Sequence, residues 1–305
     1  MSLPLAKPLA QNRTPVRALA ANRRFDAPAL LRVWHLASLD APTVAVVWAL
    51  GFAWAAKVKL PPWVPVLLAL VAWTVYIADR LLDAHTALRS GQTDRLRERH
   101  FFHHRHRRIL GALAVGSACI AAWIVFSLMP AAAVERNSVL AAAAVAYFSS
   151  VHTRRALPEP PAQVLSKEFL VGVLFTAACV LPALNRSAFN PGSPPLWTLL
   201  AAAAYFATLA WLNCQSIERW ESVGERSQGS AAAVVLVVAG LPLVTILLPT
   251  EPRAAALVAS GTLSALLLAL LDRLRNHLTP LALRAAADLV LLTPALLCPM
   301  VLPCR

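Results

Sequence analysis

The chain has 305 residues, of which 58% are hydrophobic and only 14% charged, with a mean hydropathy of +0.61. An ordinary soluble domain carries about 25% charge, so this composition excludes a soluble globular fold and makes lipid the solvent for most of the chain. The net charge of +13 comes from 28 Lys and Arg against 15 Asp and Glu. In a membrane protein such an excess marks cytoplasmic loops and calls for no nucleic-acid partner.

The basic residues Lys7, Arg13, Arg17, Arg23 and Arg24 precede any long apolar run. Residues 1–28 therefore read as a disordered basic cytoplasmic tail beside anionic lipid, and residues 29–305 as one membrane domain. A span needs about 20 mostly apolar residues. Nine segments qualify: 30–56, 62–84, 108–129, 137–152, 166–185, 194–217, 230–249, 254–272 and 280–302. Prolines such as Pro61-Pro62, Pro130, Pro160-Pro161, Pro194-Pro195, Pro252 and Pro280 punctuate them. The runs are rich in Ala and Leu and never alternate, so the expected class is an all-α polytopic bundle rather than a barrel.

With the N-terminus in the cytoplasm, 20 of the 28 basic residues fall on the inner side. Six fall outside (Lys57, Lys59, Arg136, Arg186, Arg253 and Arg305), and Arg32 and Arg80 lie within helices. This obeys the positive-inside rule for an inner-membrane protein whose C-terminus lies outside. The five cysteines, Cys119, Cys179, Cys214, Cys298 and Cys304, have no metal-ligand spacing, which argues against a disulfide framework or structural zinc.

Ionisable residues within spans are costly and are functional candidates by default. The second span ends with Asp79 and Asp83, four residues apart on one helical face. Tyr76 shares that face, and Arg80 stands between the two acids. Two carboxylates at a helix end suit magnesium, which binds one or two carboxylates together with phosphate oxygens and water. The plainer alternative is a solvated helix end. The sixth span ends with Asn213, Gln215, Ser216, Glu218 and Glu221. Its two acids are three apart, again at the cytoplasmic end. Two facing carboxylate pairs would hold two cations with a diphosphate between them.

Nine spans with acidic motifs closing the second and sixth resemble the UbiA-type intramembrane prenyltransferase superfamily. Its first motif, Asn-Asp-x-x-Asp-x-x-x-Asp, is matched at its last two acids by Asp79 and Asp83, with Val75-Tyr76 in place of the leading Asn-Asp. Its second motif, Asp-x-x-x-Asp, falls on Ile217 and Glu221, with Glu218 one step off. Arg154, Arg155 and Lys167 stand where the family carries diphosphate-holding bases. The resemblance implies magnesium ions on Asp79, Asp83, Glu218 and Glu221, and a substrate held by Tyr76, Arg80, Arg154, Arg155, Lys167 and Asn213. It also implies transfer of a prenyl group from an isoprenoid diphosphate to an apolar, lipid-soluble acceptor. The alternatives are a non-catalytic relative that binds lipid or isoprenoid or acts as a pathway scaffold, and a transporter. The transporter predicts an inverted repeat, and none is evident.

Other features carry plainer expectations. The stretch Glu98–Arg108 holds His100, His103, His104 and His106 among arginines. It reads as a positive-inside loop in contact with lipid, with anion binding preferred over metal. Asp40 and Asp288, inside the first and ninth spans, are expected to hydrogen-bond a neighbouring helix or to line the cavity. Asp272-Arg273 reads as a local ion pair, His152 as structural, and Trp63, Trp197 and Trp220 as interfacial anchors.

Overall fold

A computed structural model describes residues 25–89, 98–154, 167–221 and 229–297. The expected disordered tail lies outside the described residues except for its last four positions, and so do Arg155, Cys298 and Cys304. Every described element is helical, apart from one isolated bridge between Phe25 and Leu278. Among the described residues, six helices are long and apolar enough to cross a membrane: α3 (Trp63–Arg89), α5 (Arg107–Leu128), α7 (Lys167–Ser187), α8 (Leu196–Glu221), α10 (Pro252–Leu274) and α11 (Pro280–Leu289) with the 3-10 segment that continues it to Leu297. The bent pair α1 (Ala29–Leu36) and α2 (Asp40–Ala55) makes a seventh if taken as one span. The chain is accordingly an all-helical multi-pass membrane protein. The expected fourth and seventh spans are helices too, α6 (Ala131–Arg154) and α9 (Gly229–Leu247). The first of these carries Glu135 and Arg136 near its start, and the second is a shorter apolar helix.

The first expected span is not one helix. It turns through 89° between α1 and α2. Ser38 adopts a left-handed φ of 58°. The Ser38 N–H donates to His35 O, and the Leu39 N–H reaches back to Trp34 O, both at 3.0 Å. This pair of bonds is the Schellman stop, which usually employs glycine. The same device, with Lys57 at φ 58°, ends α2. The ninth span also departs from expectation: after Leu289 the backbone tightens into 3-10 turns containing Pro294. Carbonyls released there are recaptured, Leu291 O by Trp48 Nε1 at 2.9 Å and Val290 O by the Ser264 hydroxyl at 2.7 Å. Irregular backbone at membrane depth requires such partners.

The core is built where small residues let helices approach closely. Trp48 of α2 stacks on Phe206 of α8, ring centroids 3.8 Å apart, and Phe52 and Phe175 pack around Phe206. At Gly172 on α7, an added Cβ would stand 2.9 Å from Trp211 N and 3.0 Å from Ala207 O of α8. Leu113, Ile120, Trp123, Phe126, Val139, Val145, Val235 and Val238 face outward, which in water would be costly and in lipid is not.

Contacts sort the loops into two ends. At one end Lys57 pairs with Glu251 at 3.0 Å, and Asn190 and Ser193 donate to Lys57 O and Ala56 O. At the other end the segment before α1 joins the turn between α10 and α11: Phe25 N–H donates to His277 O at 2.7 Å, and Thr279 N–H to Phe25 O at 2.9 Å. Arg32 of α1 pairs there with Glu98 of α4 (Glu98–Arg105).

Candidate functional site

The polar residues of the spans concentrate at the end of the bundle that carries α1 and α4. The corner at Ser38 creates this site. His35 and Asp40 are five positions apart, which on one continuous helix would point them about 140° apart. The bend instead places His35 Nδ1 2.8 Å from Asp40 Oδ2, both side chains buried. Asp288 of α11 brings its Oδ2 to 3.7 Å from the same nitrogen. The ligand atoms of His35, Asp40 and Asp288 all lie within 4.8 Å of one another.

Helices α3 and α8 close the cluster. Tyr76 donates its hydroxyl proton to Asp40 Oδ2 at 3.5 Å, and the buried Arg80 guanidinium hydrogen-bonds the Tyr76 oxygen. The guanidinium also lies 4.5 Å from the Tyr76 ring centroid. Asn213 donates its amide to Asp288 Oδ1 at 3.1 Å. Tyr76, Arg80 and Asn213, expected at a substrate site, are therefore brought together, but on Asp40 and Asp288 rather than on the acidic motifs.

The four expected carboxylates fare differently. Glu221 accepts both Arg99 Nη atoms, at 3.1 and 3.2 Å, and Arg284 Nη1 at 2.9 Å. Two guanidinium groups on one carboxylate leave a divalent cation no electrostatic advantage there. Glu218 is exposed and stands beside the Glu168 carboxyl at the start of α7. Asp79 and Asp83 are half-buried on α3. Tyr147 of α6 lies within electrostatic reach of Asp79, Glu168 and Cys214, so α3, α6, α7 and α8 meet at one acidic region. Lys167 is exposed at its edge. Arg154 and His152 end α6, but their side chains are not among those described. Among the described residues, no group of three metal-capable ligands includes Asp79, Asp83, Glu218 or Glu221.

The histidine-rich stretch is not a loop. It forms α4, and His103 is buried beneath Ser38. His103 Nδ1 donates to Arg99 O at 2.8 Å, so Nε2 accepts the Ser38 hydroxyl at 3.2 Å. Burial pushes this imidazole down to about 4, with the charge of Arg80 acting in the same direction, so the ring is neutral at physiological pH. His106 caps the end of α4 through Nδ1 to Phe102 O at 2.9 Å. Beside it, Arg105, His106, Arg107, Arg108 and Ile109 line an open surface recess of about 340 Å³. Asp272, expected to pair with Arg273, accepts Trp220 Nε1 at 2.7 Å and Arg275 Nη1 at 2.9 Å.

Sequence reasoning missed His35, Ser38, His103, Arg99 and Arg284. The available signal was cost: a histidine and two isolated aspartates within apolar segments each need a partner. Compared with known protein families, curated proteins and solved structures, the chain matches none.

Proposed function

We propose that this chain is a divergent UbiA-like protein of the cytoplasmic membrane, with nine spans, the N-terminus inside and the C-terminus outside. Its role is to transfer a prenyl group from an isoprenoid diphosphate to a lipid-soluble acceptor at the inner ends of α3 and α8. The observation that carries the reading is the convergence of Tyr76 and Arg80 of α3 and Asn213 of α8 on one buried polar cluster. Two helix ends that a family resemblance pairs are thereby supported as facing one site.

Asp79 and Asp83, one helical turn apart and half-buried, fit a single magnesium ion completed by phosphate oxygens and water. Glu221 does not fit as a ligand, because two arginines already occupy it. When bound, magnesium neutralises charge developing on the departing diphosphate. Lys167, exposed at the edge of the acidic region, supplies fixed positive charge there. The apolar faces of the spans shelter the prenyl chain and exclude water from its reactive carbon.

A second reading, a non-catalytic member that binds isoprenoid or lipid, is favoured by the neutralised Glu221. Ligand binding tests the shared part of both. In nanodiscs with magnesium, a non-cleavable prenyl thiodiphosphate is expected to raise the unfolding temperature of the wild type. Asp79→Asn and Asp83→Asn are expected to abolish that shift. An equal shift without magnesium, or none in the wild type, would contradict the reading.

A further inference from the structure

The geometry points to a second, separate cation site formed by His35, Asp40 and Asp288, taking one first-row divalent cation of borderline softness. Each carboxylate is held at Oδ1 and turns Oδ2 toward His35, that of Asp40 also accepting the Tyr76 hydroxyl at 3.5 Å. Asp40 Oδ1 accepts the Ala41 N–H at 3.0 Å, and Asp288 Oδ1 accepts the Asn213 amide at 3.1 Å. Both Oδ2 atoms turn toward His35 Nδ1, at 2.8 and 3.7 Å. Holding one oxygen to aim the other is how outer-shell donors orient metal ligands.

The hydrogen-bond accounts do not balance until a cation or a proton is added. Asp288 Oδ2 is buried with no hydrogen-bond partner, and the deeply buried Asn213 leaves its Oδ1 unpartnered. Oxygens that only accept, converging on one imidazole nitrogen, need a cation or a proton between them. Ligand atoms bound about 2.1 Å from one metal stand roughly 3–4 Å apart, close to the spacings here. One imidazole with two carboxylates is a mixed nitrogen and oxygen set, which suits zinc, manganese or ferrous iron better than calcium or magnesium.

Positive charge nearby is already engaged. Arg284 is paired with Glu221, and Arg80 hydrogen-bonds Tyr76. The two carboxylates match the charge of one divalent ion in the site.

The test uses the full chain without a histidine tag, stripped with chelator in detergent and then loaded with zinc or cobalt. One zinc per chain is expected to survive gel filtration, and cobalt is expected to give visible d–d absorption. His35→Ala and the isosteric Asp288→Asn are expected to lose both signals. Asn213→Ala is expected to weaken zinc binding about tenfold by freeing Asp288. His104→Gln and Asp83→Ala are expected to retain one zinc, which separates this site from the α4 histidines and from the proposed magnesium site. No metal on folded wild type, meaning a shared proton fills the gap, would overturn the proposal. So would undiminished zinc on Asp288→Asn.

Discussion

Ser38 donates its hydroxyl to His103 Nε2 across 3.2 Å, and so ties the corner between α1 and α2 to the helix α4. The serine holds a left-handed backbone that glycine would adopt more cheaply, and it is buried. The hydroxyl explains the choice of residue. Ser38→Ala is expected to destabilise the protein by about 1 kcal/mol or more, through the lost bond and the retained strain. Ser38→Gly is expected to lose less, because it relieves the backbone. Unfolding temperatures of the two variants in detergent check the order.

The same pair gives a pH dependence. The unfolded imidazole of His103 binds a proton below its ordinary value of 6.5, whereas the folded one does so only below about 4. Between these values the unfolded state holds more protons, so stability rises as pH rises through the window and levels off above it. The unfolding temperature is expected to fall from pH 6.5 toward pH 4. His103→Gln is expected to flatten that fall, and an unchanged slope would refute the burial argument.

Glu221 is expected to matter more for stability than for chemistry. Its side chain is 22% exposed and carries two arginines. Glu221→Gln removes the charge but leaves Arg99 and Arg284 half-buried. A loss of about 2 kcal/mol is expected, below the range for a fully buried pair. The check is chemical denaturation of Glu221→Gln beside Arg99→Gln and the double variant. The double variant is expected to cost less than the sum.

Gly172→Ala tests the packing of α7 on α8. The added methyl meets backbone atoms at 2.9 and 3.0 Å, which cannot swing aside as a side chain does. A loss of about 1–3 kcal/mol is expected. Gly111→Ala on α5 meets nothing within 4 Å and is expected to be neutral.

Orientation is checked by labelling single cysteines in a chain whose native cysteines are replaced. Lys59→Cys, exposed at the end with Glu251, is expected to react with an impermeant maleimide from outside intact cells. Arg107→Cys, exposed at the α4 end, is expected to react only after the membrane is opened.

The helices were legible in the sequence because lipid leaves the backbone no alternative but internal hydrogen bonding. The corner at Ser38 was not, since Ala37-Ser38-Leu39 contains neither glycine nor proline. Its Schellman bonds depend on a left-handed serine that pattern reading assigns to a helix interior. The irregular end of the ninth segment was not legible either, since the expected span ran unbroken through Pro294. At the site, helix periodicity put Tyr76 on the face of Asp79 and Asp83, and the family resemblance alone put Arg80 with the substrate, whereas both turn toward Asp40. Their partners were hidden because Asp40 and Asp288 are 248 positions apart in the chain and meet only when α2 and α11 pack together. Glu221 looked like a ligand from local spacing alone. Its two arginines come from α4 and α11, which no local pattern reveals.

Release of diphosphate tests the central claim most directly. Wild-type protein in nanodiscs with magnesium is given labelled prenyl diphosphates of ten to twenty carbons and a membrane extract as the source of acceptor. The account predicts magnesium-dependent release of labelled diphosphate with at least one chain length, lost in Asp83→Ala while the protein stays folded. No release with any chain length, or release undiminished in Asp83→Ala, would contradict it.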